Sequence, residues 1–412
     1  MVPSGWEIKT LDAAKIIVTD GDRGKEYPKS SDFSEDGYCL FLSAKNVTKR
    51  GFSFSEKQFI SKDKHEKLRK GLVNRGDIVL TTRGTVGQFS FYDESITYEP
   101  IRINSGMVTL NFTNADIKND FFYALSKSSI IKKQIDLAAF GSAQPQLTVK
   151  IIKSLKLPVP PLPEQRKIAK ILSTWDKAIS TTERLINNSK QQKKALMQQL
   201  LTGKKRFAGF TKDWKQIHLG DIGKCITGLT YKPSDTVDDG MLVLRSSNIQ
   251  DSKLAFEDNV FVNANLKVKS KTQENDILVC VRNGSKNLIG KSTLIKGRAI
   301  GQAHGAFMTL FRGKYPLYVS QLFQSNEFFR QVNMNLGATI NSINTSDLHK
   351  LKFSIPTDEN EINTIAACLS NAEQEIEVLQ QQYADLKQEK TALMQQLLTG
   401  KRRVKVDNTE AA

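Results

Sequence analysis

The chain has 412 residues, 39% hydrophobic and 25% charged, with 60 Lys+Arg against 43 Asp+Glu and a formal net charge of +17. That balance excludes wholesale disorder, suggests two or three domains, and favours a polyanionic partner, usually nucleic acid. Four scattered cysteines (Cys39, Cys225, Cys280, Cys368) without a CxxC pair, and four histidines without metal-ligand spacing, exclude a disulfide framework and a zinc ribbon and leave no metal site expected.

Residues 1–157 come first in chain order. They mix short β-like runs, at 77–80 and 106–110, with turn residues, and are expected to form a mixed α/β globule. The proline-rich run LPVPPLP at 157–163 follows. Proline is favoured in a helix's first turn and excluded from its interior, so a helix should open here, with Glu164 at its positive end. Residues 158–206 read as that helix, with Gly203 at its C-terminus. Residues 207–356 return to β-like runs, at 276–281 and 306–311. Residues 357–404 read as a second long helix, with Asp358 and Glu361 at capping-box spacing and Gly400 at its end. Residues 405–412 are expected to be a disordered tail. No apolar run approaches ~18 residues and the N-terminus MVPSGWEIKT lacks an apolar signal core, so a cytoplasmic chain without membrane contact is expected.

The two halves are copies. ALMQQLLTGK occupies both 195–204 and 392–401, ten consecutive identities at an offset of 197. Weaker correspondences extend it: Trp6 and Leu11 with Trp214 and Leu219, Asn46 with Asn248, Arg83 with Arg282. A period this long means duplicated domains rather than a solenoid.

Both long helices carry a heptad seam. Steps of +4 and +3 give Ile168, Leu172, Trp175, Ile179, Thr182, Ile186, Ser189, Lys193, Leu196 and Leu200. The second copy gives Ile365, Leu369, Ala372, Ile376, Leu379, Tyr383, Leu386, Lys390, Leu393 and Leu397. A sustained 3.5-residue period implies a coiled coil. The order globule, helix, globule, helix makes pairing of the two helices antiparallel, with the chain ends together at the first globule. Thirty-nine residues would span roughly 58 Å. Lys193 and Lys390 share one seam position, read as snorkelling near a splayed end in preference to a register device. The fold class is therefore α+β: two mixed α/β domains joined by an antiparallel coiled coil, with a pseudo-two-fold internal repeat.

These features resemble the specificity subunits of type I restriction-modification enzymes. The resemblance rests on PPLPEQRKI at 160–168, the duplicated ALMQQLLTGK, and GSAQPQLTVKIIKSLKLPVP at 141–160, similar to the end of a target recognition domain. The second copy has TDENEI where the family repeats a PPLPEQ-like run. The resemblance implies a non-catalytic subunit. Two target recognition domains each read one half of a bipartite, asymmetric site in double-stranded DNA. The helices set the gap and dock two adenine methyltransferase subunits, which two restriction/translocase subunits join. S-adenosylmethionine, ATP and Mg2+ are then expected on the partner subunits and no cofactor on this one. The residues agree in part: there is no NPPY- or DPPY-type tetrapeptide, and GSKNLIGKS at 284–292 misses P-loop spacing by one residue. A self-sufficient DNA methyltransferase or nuclease, and a coiled-coil scaffold, stand as alternatives.

Positions that differ between copies beside positions they share are candidate DNA contacts. Three loops qualify. The first holds Ser43, Lys45 and Asn46, answered by Arg245, Ser247 and Asn248. The second holds Arg83, Thr85 and Gln88, answered by Arg282, Asn283 and Lys286. The third holds Gln144 and Gln146, answered by Asn341 and Ser342. Arginine can pair bidentately with guanine and asparagine with adenine.

Overall fold

A computed structural model describes residues 2–139, 146–264, 267–336 and 341–406. Gln144 and most of the tail at 405–412 lie outside them. Two compact units emerge, Met1–Thr182 with Gln382–Ala412, and Glu183–Gln381.

The first unit is built on two four-stranded sheets. One is antiparallel, in the order Ile17–Asp20, Met107–Asn111, Ile78–Thr81, Phe89–Phe91. The other runs Phe59–Ile60, Cys39–Leu42, Ile101–Ile103, Leu72–Val73. Within it Cys39–Leu42 and Ile101–Ile103 are parallel, with Leu42 opposite Ile103. Ile78–Thr81 is buried along its whole length, as expected for a strand covered on both faces. Ile78, Leu80, Val108 and Leu110 share a core with Phe121, Phe122 and Leu125 of the helix Asn119–Ser126.

The second unit repeats this plan. Gly223–Thr227, Met308–Gly313, Ile277–Cys280 and Ser292–Leu294 form the antiparallel sheet. In the other, Met241–Leu244 and Ala303–His304 are the parallel pair, with Leu244 opposite His304. The 77–80 and 276–281 runs are thus strands within a residue or so. The 106–110 and 306–311 runs begin later, at Met107 and Met308, which leaves Gly106, Ala306 and Phe307 in loops.

The proline-rich run is not a simple spacer. Lys156–Val159 is a strand paired antiparallel with Glu7–Thr10, and Lys352–Pro356 pairs likewise with Trp214–His218. Proline is tolerated because each ribbon has only two strands, so the missing N–H can face outward.

The helices Leu162–Leu200 and Glu359–Leu397 each have 39 residues. In the first unit Lys390 Nζ lies 2.6 Å from Asp176 Oδ1, and Arg403 pairs with Glu164 through both carboxylate oxygens. In the second, Ser189 Oγ donates to Glu375 at 3.2 Å and Lys193 Nζ lies 3.2 Å from Glu373. In each unit one helix's numbers rise as the other's fall, so the helix segments pack antiparallel. Ile168, Leu172, Ile186, Leu200, Ile365, Leu369, Ile376 and Leu397 are buried. Trp175, Ile179, Leu196, Leu379, Leu386 and Leu393 are half-buried.

Two expectations are corrected here. Lys193 and Lys390 do not snorkel: their side chains are only 11% and 12% exposed and end on carboxylates. A buried lysine held by an acid penalises a shifted register, because slippage would strand the charge. Glu361 does not complete a capping box. Both its oxygens accept from Arg206, at 2.8 Å each, and it is fully buried. Glu164 and Arg403 make the same clamp in the first unit. The clamp therefore survives the loss of the PPLPEQ-like run.

The chain ends meet in the first unit, where Arg403 Nη1 donates to the Ser4 carbonyl at 2.9 Å. Gly400 (φ 70°) and Gly203 (φ 69°) turn the chain out of each helix, packed against Trp6 and Trp214 respectively. A side chain at either position would strain a left-handed backbone, and one at Gly400 would also run into Pro3.

Candidate nucleic-acid interface

The strand pairing gathers the candidate loops at one end of each unit. Leu42 and Ile103 are parallel neighbours, so the loop after each leaves the sheet on the same side. Thr81 is paired with Met107, which sets the second loop against the turn at 104–106 that links the two sheets. Thr82 N and Arg83 N both donate to Gly106 O, at 2.8 and 3.2 Å, and Leu147 N donates to Thr82 O at 3.1 Å, bringing in the third loop. The second unit does the same. Gly305 N donates to Leu244 O at 2.9 Å. Val281 N and Arg282 N donate to Phe307 O at 3.0 and 3.1 Å, and Ile343 N donates to Val281 O at 2.9 Å.

Within these clusters the Asn46 and Asn248 amides are turned inward, onto backbone groups of their own loops. Both are buried, at 2% and 0% exposure. Asn46 Oδ1 accepts from Ser43 N at 2.8 Å while its Nδ2 donates to the Ser53 and Glu56 carbonyls. Asn248 repeats this with Arg245 N and the Ala255 and Asp258 carbonyls. Each amide staples its loop to the next hairpin, which is why both copies keep it. Truncating Asn248 to alanine should remove the side-chain partner of two backbone groups, Arg245 N and the Ala255 carbonyl, and one of the two donors to the Asp258 carbonyl. The expected cost is about 1–3 kcal/mol in denaturant unfolding, with the recognised bases unchanged when methylated DNA is sequenced.

The other candidates sort by exposure. Lys45, Arg83, Thr85, Arg282 and Lys286 are exposed. Ser43, Gln88, Gln146, Arg245, Asn283, Asn341 and Ser342 are half-buried. Ser43 Oγ donates to Asn46 Oδ1 at 3.0 Å, and Ser247 Oγ is shielded from solvent, so neither hydroxyl points outward to a base. Lys45 Nζ meets Glu56 at 2.7 Å, and Arg245 Nη2 meets Asp258 at 2.8 Å. The Lys45 pair is exposed on both sides, and such pairs are worth about 0–1 kcal/mol, so this cation can exchange to a phosphate at small cost.

The described residues of the third loop, Gln146 in one unit and Asn341 and Ser342 in the other, are bonded to the second. With the Gln146 amide oxygen facing Arg83, it accepts from Nε and Nη2 at 3.2 and 2.9 Å. Asn341 Nδ2 donates to Gly284 O at 3.0 Å, and Arg282 and Ser342 form a β-bridge. Asn283 Nδ2 reaches Ser246 Oγ at 3.1 Å, joining the second loop to the first. Beneath the second cluster, burial lowers the pKa of His304, and its Nε2–H donates to the Ile226 carbonyl at 2.9 Å.

A fourth loop in each cluster, 104–106 and 305–307, escaped the sequence reading, in which Gly106, Ala306 and Phe307 were taken as strand. The available signal was positional: they precede matched strands that begin with methionine.

Among the described residues, no group of three or more His, Cys, Asp or Glu side chains could hold a metal. No helix among them is long and apolar enough to cross a membrane.

Duplicated mixed α/β units that end in clustered loops carrying exposed lysine and arginine, each joined to antiparallel long-helix segments, have the charge pattern of a modular nucleic-acid-binding protein. The type I restriction modification DNA specificity domain matches residues 3–190 and 211–388, and the chain belongs to that family. It is 26% identical to the type I restriction enzyme MjaVIII specificity subunit of Methanocaldococcus jannaschii, over 98% of this chain and 94% of that one. It is 25% identical to the putative MjaX specificity subunit of the same organism, over 98% and 95%. The crystal structure of the type I restriction-modification system S subunit from M. genitalium aligns with a TM-score of 0.63 at 14% identity, covering 96% of both chains.

Proposed function

We infer that this chain is the DNA-specificity subunit of a type I restriction-modification complex. Each recognition domain reads one half of a split, asymmetric DNA sequence. The observation that carries this reading is the duplicated loop cluster: two units share one scaffold and one set of stapling asparagines, yet differ in the side chains exposed between them. Shared backbone with unlike exposed side chains suits two unlike half-sites.

The domains of this reading are residues 1–157 and 207–356, with helical spacers at 158–206 and 357–404. Exposed Lys45, Arg83, Arg282 and Lys286 supply phosphate and base contacts, and the excess of basic residues makes binding steeply salt-dependent. The helices set the distance between half-sites and dock two adenine methyltransferase subunits. Two restriction/translocase subunits complete the nuclease. Chemistry, and with it S-adenosylmethionine, ATP and Mg2+, belongs to those partners, and the complex works in the cytoplasm.

The test is to co-express the chain with its methyltransferase partner and sequence methylated genomic DNA. The expected result is one motif of two short specified segments separated by unspecified bases. Exchanging residues 1–157 for those of a related subunit should change one segment and leave the other. A single continuous motif would defeat the two-domain reading.

A further inference from the structure

The two loop clusters differ at one position that the scaffold makes equivalent. Gly106 O and Phe307 O each accept the two N–H groups that open the second loop. The first unit therefore presents bare backbone where the second presents a phenyl ring. Phe307 is 56% exposed, although the neighbouring strand Ile277–Cys280 is buried along its whole length. Its backbone is fixed at the root of the second loop, and the Arg282 guanidinium lies 5.7 Å from the ring centroid. Arg245, from the first loop, approaches the adjacent Gly305. An isolated exposed apolar side chain needs no explanation. This one stands on a hydrogen-bonded backbone in the middle of a basic loop cluster, where the corresponding residue of the other copy has no side chain at all.

We propose that Phe307 is a specificity-determining residue of the second recognition domain, contacting the 5-methyl group of a thymine in that domain's half-site. The major groove offers an apolar ring one distinctive target, the thymine methyl. Arginine beside the ring supplies the charge that brings the loop to the DNA backbone, and the ring supplies discrimination that charge cannot. The first domain, with Gly106, makes no such contact and reads its half-site through polar side chains.

This inference rests on the reading of the chain as a specificity subunit, and its test separates the two. Methylation mapping and the exchange of residues 1–157 first assign the half-site of the second domain. Binding of the assembled methyltransferase complex is then measured on fluorescein-labelled duplexes in which each thymine of that half-site is replaced in turn by uracil, which removes only the methyl. Burying a methyl is worth about 0.8 kcal/mol, so one uracil should weaken wild-type binding about fourfold. Phe307→Ala should weaken binding to the thymine duplex at least as much, and the uracil change should cause no further loss in that variant. Phe307→Leu should restore part of the discrimination. Since the ring is exposed, the variants should fold, as circular dichroism will show. A split motif with a second half-site lacking thymine, or equal uracil losses in wild type and Phe307→Ala, overturns the proposal alone. A continuous motif overturns the underlying functional reading and the proposal with it.

Discussion

Replacing Arg312 by methionine is expected to destabilise the second domain by about 3 kcal/mol, the lower end of the cost of leaving a buried charge without its partner. Asp276 is 1% exposed in its side chain, and Arg312 meets both its oxygens at 2.7 Å. Arg312 also donates to the carbonyls of Lys269 and Lys271, so its loss frees that segment as well. Methionine fills comparable space without a charge, so the loss reports the ion pair together with the two carbonyl bonds and not a cavity. The first domain supplies the comparison. There Asp77 is equally buried, but its partners are neutral: Asn111 Nδ2 at 2.6 Å and Asn74 N at 2.8 Å. Burial pushes the Asp77 carboxyl above its ordinary range. Adding Asp276→Asn to Arg312→Met should therefore recover part of the loss. Chemical denaturation of the single and double variants checks this, and an unchanged midpoint for Arg312→Met would show that the pair does not hold the domain.

Lengthening both long helices by one heptad at equivalent positions should change the number of unspecified bases between the half-sites without altering the bases read. Seven residues add about 10 Å at 1.5 Å per residue, or up to about three base pairs at the B-DNA repeat of ~34–36 Å per turn. A whole heptad keeps the seam in phase. Insertion in one helix alone would put Lys193 and Lys390 out of step with Glu373 and Asp176, and the complex should then assemble poorly. Equal insertions at matched positions keep both pairs. Methylation mapping reads the outcome directly: an unchanged gap would remove the helices from any role as a ruler.

Much of this protein was written in its linear pattern. The ten-residue repeat disclosed the duplication, and the 3.5-residue period marked the helix face that is buried or half-buried along both seams. Both signals depend on local geometry, because an α-helix presents every third and fourth residue to one side whatever surrounds it. Proline, glycine and the acidic first turns likewise marked the helix ends, where the backbone itself sets the requirement.

Side-chain roles in the loops required tertiary structure. Asn46 and Asn248 looked like base readers because asparagine can pair with adenine, but their partners are carbonyls seven and ten residues away, and only the folded hairpin brings those within reach. Glu361 had capping-box spacing, yet an arginine 155 residues distant claimed both its oxygens. Phe307 was taken as part of a strand, since its neighbours are apolar, and only the pairing of Cys280 with Met308 left it outside the sheet. Periodicity reports which way a regular element faces. Which partner satisfies a buried polar atom, and which ring is left in solvent, depends on contacts between segments far apart in the chain, and those exist only once it has folded.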